Sequence, residues 1–249
     1  MAPPLPSRLD LDLDLDRNRT AGLVGSQANI GGIWEDLAAG RLTVVRQELD
    51  THVVRLLLQL GPTSNVTPSH RANVETLKSV LTGRAQKILA LDLDAAPSTI
   101  SSRVRCALIG MGAAGSVRRA PLALAMVAAL HELDLASMGE GYQLTYSPNG
   151  TQLEISMPRP ELAFRCLLTP AELDVVRAIM AGASHRQVGG QRNRSARTIA
   201  NQIAAIAGKL RANGRFGFIR LAVTLASGSE RPHSRESGVV LGGYNGAGN

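Results

Sequence analysis

The sequence predicts a mainly α-helical α+β fold, in which short β-hairpins accompany two tandem four-helix modules. Three observations predict it. The pattern of residues 82–111 returns at 181–210, an offset of 99 residues. Two segments, 41–60 and 142–157, hold β-rich runs around turn residues, and the second alternates with the period of a half-buried strand. Finally, the chain is 44% apolar yet carries only 1 Trp, 3 Tyr and 3 Phe, so its cores are aliphatic and alanine-rich, which favours helix.

Taken in order, residues 1–28 hold several prolines and the run "LDLDLDLD" at 9–16, with nothing nearby to complete a core. A disordered leader is expected there. Residues 29–66 read as a helix plus a hairpin. "IWEDLAAG" (33–40) is a short helix with a glycine stop, and "RLTVVRQEL" and "HVVRLLLQL" are strands separated by Asp50-Thr51. Residues 67–131 form the first helical module. Residues 132–167 are a linker carrying the sharper hairpin, "YQLTYSPNGTQLEISM", with Asn149-Gly150 as the expected two-residue turn. The second module spans 168–226, and "SGSERPHSRESG" and "GGYNGAGN" mark a flexible tail at 227–249.

The repeat fixes the helix faces. Ile100, Val104, Ala107, Leu108 and Met111 share their spacing with Ile199, Ile203, Ile206, Ala207 and Leu210, one face of an α-helix written twice. Burial is expected for Ile100, Val104, Leu108, Ile199, Ile203 and Leu210. The same register interprets Gly110-Met-Gly112-Ala-Ala-Gly115, a literal G-x-G-x-x-G. A dinucleotide-binding turn requires a strand before these glycines and a second strand before the ribose-binding acid. Here residues 105–111 belong to a helix, and Pro121 to Leu130 run as one apolar helix into Glu132 and Asp134. The glycines are read as helix punctuation, and a nucleotide-dependent enzyme is the weakest of three function classes.

Charge points to a polyanion. The net charge is +7, but residues 70–130 carry +5 and residues 168–222 carry +7, leaving the remainder at −5. Cys106 and Cys166 have neither metal nor disulfide spacing, so a reducing cytoplasm is expected. No apolar run approaches a membrane span, so no membrane association is expected. His70, His131 and His185 are scattered without ligand-spaced Cys or carboxylate, and no Ser or Cys has a visible base partner. No metal, cofactor or catalytic centre is predicted.

In the second copy Thr169-Pro170-Ala171-Glu172 is a capping box, "AELDVVRAIMAG" continues as helix one, Ser184 begins helix two ("SHRQVGGQ"), "NRS" turns the chain, and Ser195 caps "ARTIANQIAAIAGKLRA". Two helices joined by a short turn make a helix-turn-helix, whose second helix enters the DNA major groove. At these residues "LTPAELDVVRAIMAGASHRQV…SARTIANQIAAIAGKL…RFGFIRLA" resembles the four-helix DNA-binding domain of the LuxR/GerE family of transcription regulators. "LTGRAQKILALDLDAAPSTISSRV" resembles it more weakly. The resemblance implies a transcription regulator that binds double-stranded DNA. The rival class is a protein-interaction module built on degenerate helix-turn-helix folds, with RNA polymerase as a candidate protein partner.

The resemblance also implies site residues. Base contacts fall on Ala200, Asn201 and Ala204, and in the first copy on Ser101, Ser102 and Arg105. Phosphate contacts fall on Arg197, Thr198 and Lys209, and on Ser98 and Thr99. Their helical register sets them opposite the apolar stripe, and Asn can read adenine bidentately while Arg can read guanine. Departures from the family are Arg192 and Arg194 at the turn, Gly189-Gly190 within helix two, Ala96 in place of a capping serine, and Asp94 in place of the turn glycine. Assembly follows from the fourth helices, "PLALAMVAAL" (121–130) and "FGFIRLAVTL" (216–225), which are too apolar for full solvation. They are expected to pair within one chain, making a pseudo-dimeric monomer with two half-site readers; a homodimer through one of them is the alternative.

Overall fold

The structure, a computed structural model, describes residues 30–61, 67–113, 117, 120–134 and 141–227. The leader, Gly115 and the tail beyond Ser227 lie outside the described residues. The order is α1 (Ile30–Ala38), β1 (Leu42–Leu49), β2 (Val53–Leu60), α2 (Pro68–Leu81), α3 (Gln86–Asp92), α4 (Pro97–Gly110), α5 (Leu122–Glu132), β3 (Gln143–Tyr146) and β4 (Gln152–Pro158). A 3-10 turn (Pro160–Phe164) then leads into α6 (Pro170–Met180), α7 (His185–Gln191), α8 (Ala196–Leu210) and α9 (Gly214–Ala226).

The two hairpins join in one antiparallel sheet of order β1-β2-β4-β3. Val54, Leu56 and Leu58 alternate with Arg55, Leu57 and Gln59, and Leu153, Ile155 and Met157 do the same on β4, so the buried set faces the helices. In the β2–β4 ladder Leu56 pairs with Ile155, its own counterpart 99 residues on. An antiparallel ladder that pairs a residue with its own repeat has a local two-fold axis at that pair. The repeat is therefore closed into a pseudo-symmetric unit by its central strands.

Both hairpin tips differ in detail from expectation. In the first, the Asp50 N–H donates to the Val53 carbonyl at 2.9 Å, so Thr51 and His52 form the tip, one residue later than Asp50-Thr51. In the second, the Gly150 N–H donates to Ser147 O at 2.8 Å and Gly150 has φ +66°. The turn is centred on Pro148-Asn149, inside a loop closed by Ser147 N–H to Gln152 O, rather than being a two-residue Asn149-Gly150 turn. Proline presets the first central dihedral, and Gly150 then supplies the left-handed residue that realigns the strands.

The helical register holds nearly to the residue. α2 and α6 end at Leu81 and Met180, α3 and α7 begin at Gln86 and His185, and α4 and α8 begin at Pro97 and Ala196, each 99 apart. Residues 105–110 are helical, so the glycine motif is not a strand-to-helix phosphate turn. Gly112 (φ +76°) follows α4 where β1 crosses. The Val44 N–H donates to Met111 O at 2.8 Å, and a Cβ on Gly112 would lie 2.6 Å from Val44 O. Both positive φ and close backbone approach demand glycine there.

Of the expected core, Ile100, Val104, Leu108, Ile199 and Leu210 are buried, but Ile203 is only half-buried. α4 packs along α2, whereas α8 rests mainly on α7 and only lightly on α6, so the middle of its apolar stripe is less covered. α5 is buried throughout Leu122 to Leu130 because it packs on α1, α2, β2 and α9. The fourth helices thus do pack against each other within the chain. Arg220 reaches Glu132 across this contact at 3.4 Å. The half-buried Arg215 donates to Met180 O at 2.8 Å, Ala120 O at 2.8 Å and Val117 O at 3.3 Å, tying the end of α6 to the segment before α5. Burial lowers its pKa to about 10, which leaves it charged at neutral pH.

Candidate nucleic-acid interface

The second helix-turn-helix is built by side-chain caps. Ser184 Oγ accepts from Gln187 N–H while Gln187 Oε1 accepts from Ser184 N–H at 2.8 Å, a reciprocal capping box that starts α7. Ser195 Oγ accepts from Thr198 N–H at 3.0 Å and starts α8. Between them Asn193 takes φ +52°, a left-handed turn that asparagine tolerates better than other non-glycine residues. The first copy turns in the same way at Asp94 (φ +44°), but Ala96 gives α4 no side-chain cap.

Gly189 explains itself once the turn is in place. A Cβ there would lie 2.6 Å from the Arg194 carbonyl oxygen, so the turn folds directly over this helix position. Gly190 has open space at its Cβ position and carries no such constraint. Arg192, at the turn, is half-buried. Arg192 pairs with Asp174 at 3.6 Å and Arg194 is exposed.

Of the expected site residues on α8, Arg197, Thr198, Asn201, Ala204 and Lys209 are exposed, whereas Ala200 is half-buried. The Thr198 hydroxyl is engaged with Ser195 Oγ at 2.8 Å. Lys209 stands at the far end of α8, bonded at 2.5 Å to Glu172, the capping-box carboxylate of α6. That bond and the Thr169 N–H pull the Glu172 pKa down to about 2, so the carboxylate is charged at neutral pH and its bond helps fasten α8 to α6. On α4, Ser98, Thr99, Ser101, Ser102 and Arg105 are all exposed, and Ser101 Oγ donates to Gln86 Oε1 at 3.2 Å.

Sequence reasoning missed Arg186 and Arg194 as members of this surface. Both are exposed, and among the described residues Arg186, Arg194 and Arg197 form no ion pair. The signal was available, since residues 184–210 contain four Arg and one Lys and no acidic residue, a net of +5. The equivalent first-copy segment, 85–111, holds Lys87, Arg103 and Arg105 against Asp92 and Asp94, a net of +1. The two faces share a fold but not a charge.

Beneath the second module Glu161 is fully buried, with Oε1 accepting from Arg159 at 2.9 Å and from Arg177 at 2.8 Å. This cluster anchors the end of β4 to α6. Among the described residues no group of three or more His, Cys, Asp or Glu is placed to hold a metal, and no helix is long and apolar enough to cross a membrane. No family model, curated protein or solved structure matches the chain.

Proposed function

We propose that this protein is a DNA-binding transcription regulator of the LuxR/GerE type, acting in the cytoplasm and reading duplex DNA chiefly with its second helix-turn-helix. The observation that carries the reading is the capped α7-turn-α8 unit, whose own residues include no acid and which exposes Arg186, Arg194 and Arg197. Such a surface suits a phosphate backbone, and Asn201 on the same exposed side of α8 is chemically able to read adenine. No catalytic role is assigned.

The test is duplex binding as a function of salt. Neutralising phosphates releases counterions, and three unpaired arginines give a slope of log affinity against log salt of about −3. A flat salt response would refute the reading. A second reading, a protein-interaction module with RNA polymerase as a candidate partner, applies to the first copy, because its helix-turn-helix is nearly neutral.

A further inference from the structure

The first copy's α3 has surface chemistry that its duplicate lacks. Ile88, Leu91 and Leu93 are 50%, 78% and 47% exposed, while the same register places Gln187, Gly190 and Arg192 in the second copy. Ile88 and Leu91 are three residues apart and share a helix face, and Lys87 lies four residues before Leu91 on the same side. One duplicate kept this face polar and the other made it apolar. A fold requirement shared by both cannot explain the difference.

The charges at the ends of this patch select the occupant. Lys87 sits at one end and Asp94 just past the other, and among the described residues neither forms an ion pair, whereas Asp92 is held by Arg84. We propose that α3 is a self-association surface, pairing antiparallel with α3 of a second copy of this chain. In a two-fold contact each residue meets its complement on the other chain. Antiparallel packing sets Ile88 against Leu93 of the other copy, brings the two Leu91 side chains together at the axis, and places each Lys87 beside the other copy's Asp94. The patch is small, so the dimer is a weak and concentration-dependent one. It uses no residue of the second module's cationic face.

Sedimentation equilibrium of the full chain without DNA tests the idea separately from DNA binding. A monomer–dimer equilibrium is expected for the wild type. The double substitution Ile88→Gln, Leu91→Gln raises the dimer dissociation constant by about tenfold or more, with an unchanged melting temperature because both side chains are exposed. Lys87→Glu weakens the homodimer, and mixing it with Asp94→Lys restores association, since the mixed pair has both contacts of opposite charge. A wild-type chain that stays monomeric would overturn the proposal. So would a dimer indifferent to the Ile88/Leu91 substitution, which would place the contact elsewhere. So would a monomer in which that substitution makes residues 9–16 newly sensitive to protease, which would assign the patch to the chain's own leader.

Discussion

Replacing Gly189 and Gly190 by alanine, one at a time, separates helix propensity from tertiary packing. The two glycines are neighbours in the same seven-residue helix, so propensity alone favours alanine at both by about 0.5–1 kcal/mol. At Gly190 nothing lies within 4 Å of the added methyl, and the full gain should appear. At Gly189 the methyl would sit 2.6 Å from Arg194 O, a backbone atom whose own N–H is bonded to Gly189 O at 2.9 Å. The turn must shift, and overpacking of this kind costs about 1–3 kcal/mol, leaving a net loss of up to about 2.5 kcal/mol after the propensity gain. Thermal unfolding should therefore move in opposite directions, up by about 1–4 °C for Gly190→Ala and down by as much as about 10 °C for Gly189→Ala. The first copy carries Ala90 at the equivalent site and closes its turn with the same bond, Ala95 N–H to Ala90 O at 2.9 Å, so a Cβ can be accommodated by small shifts and Gly189→Ala should still fold. Because the turn sets α8 against α7, duplex affinity should fall in Gly189→Ala and hold in Gly190→Ala. Equal stabilisation by both substitutions would refute the close-approach account.

Asn201→Ala should weaken a preferred duplex by about 1–3 kcal/mol and relax selection at one base pair, as read by binding-site selection on random duplexes; unchanged site preference would remove its base-reading role. Glu172 is held at about 2 against an ordinary value of 4.5, so the unfolded state takes up the proton first as pH falls. Its contribution to stability is present above about pH 4.5 and drains away toward pH 2, and Lys209→Met should flatten this acid limb in unfolding measurements; an unaltered limb would show that the Lys209 bond is not what holds the carboxyl down. Arg215→Met, which removes the donor to the carbonyls of Met180 and Ala120, should cost about 2–3 kcal/mol in urea unfolding, and a neutral result would show that those carbonyls are satisfied without it.

The sequence by itself determined the parts that depend on local spacing. A 3.6-residue stripe repeated at a 99-residue offset was enough to place α4 and α8 and to reject the phosphate-turn reading of Gly110 to Gly115, because a helix period cannot be worn by a strand. The caps at Thr169, Ser184 and Ser195 were legible for the same reason, since each is a side chain reaching a backbone N–H only three residues away. What only the tertiary structure decided depends on residues far apart in the chain. The joining of two hairpins through Leu56 and Ile155, the closeness of Gly112 to Val44 and of Gly189 to Arg194, the half-exposure of Ile203 and the occupation of Lys209 by Glu172 all depend on which surfaces meet. Periodicity names the face a residue is on. The neighbour that covers it, or leaves it bare as at Leu91, is chosen by packing across the whole chain.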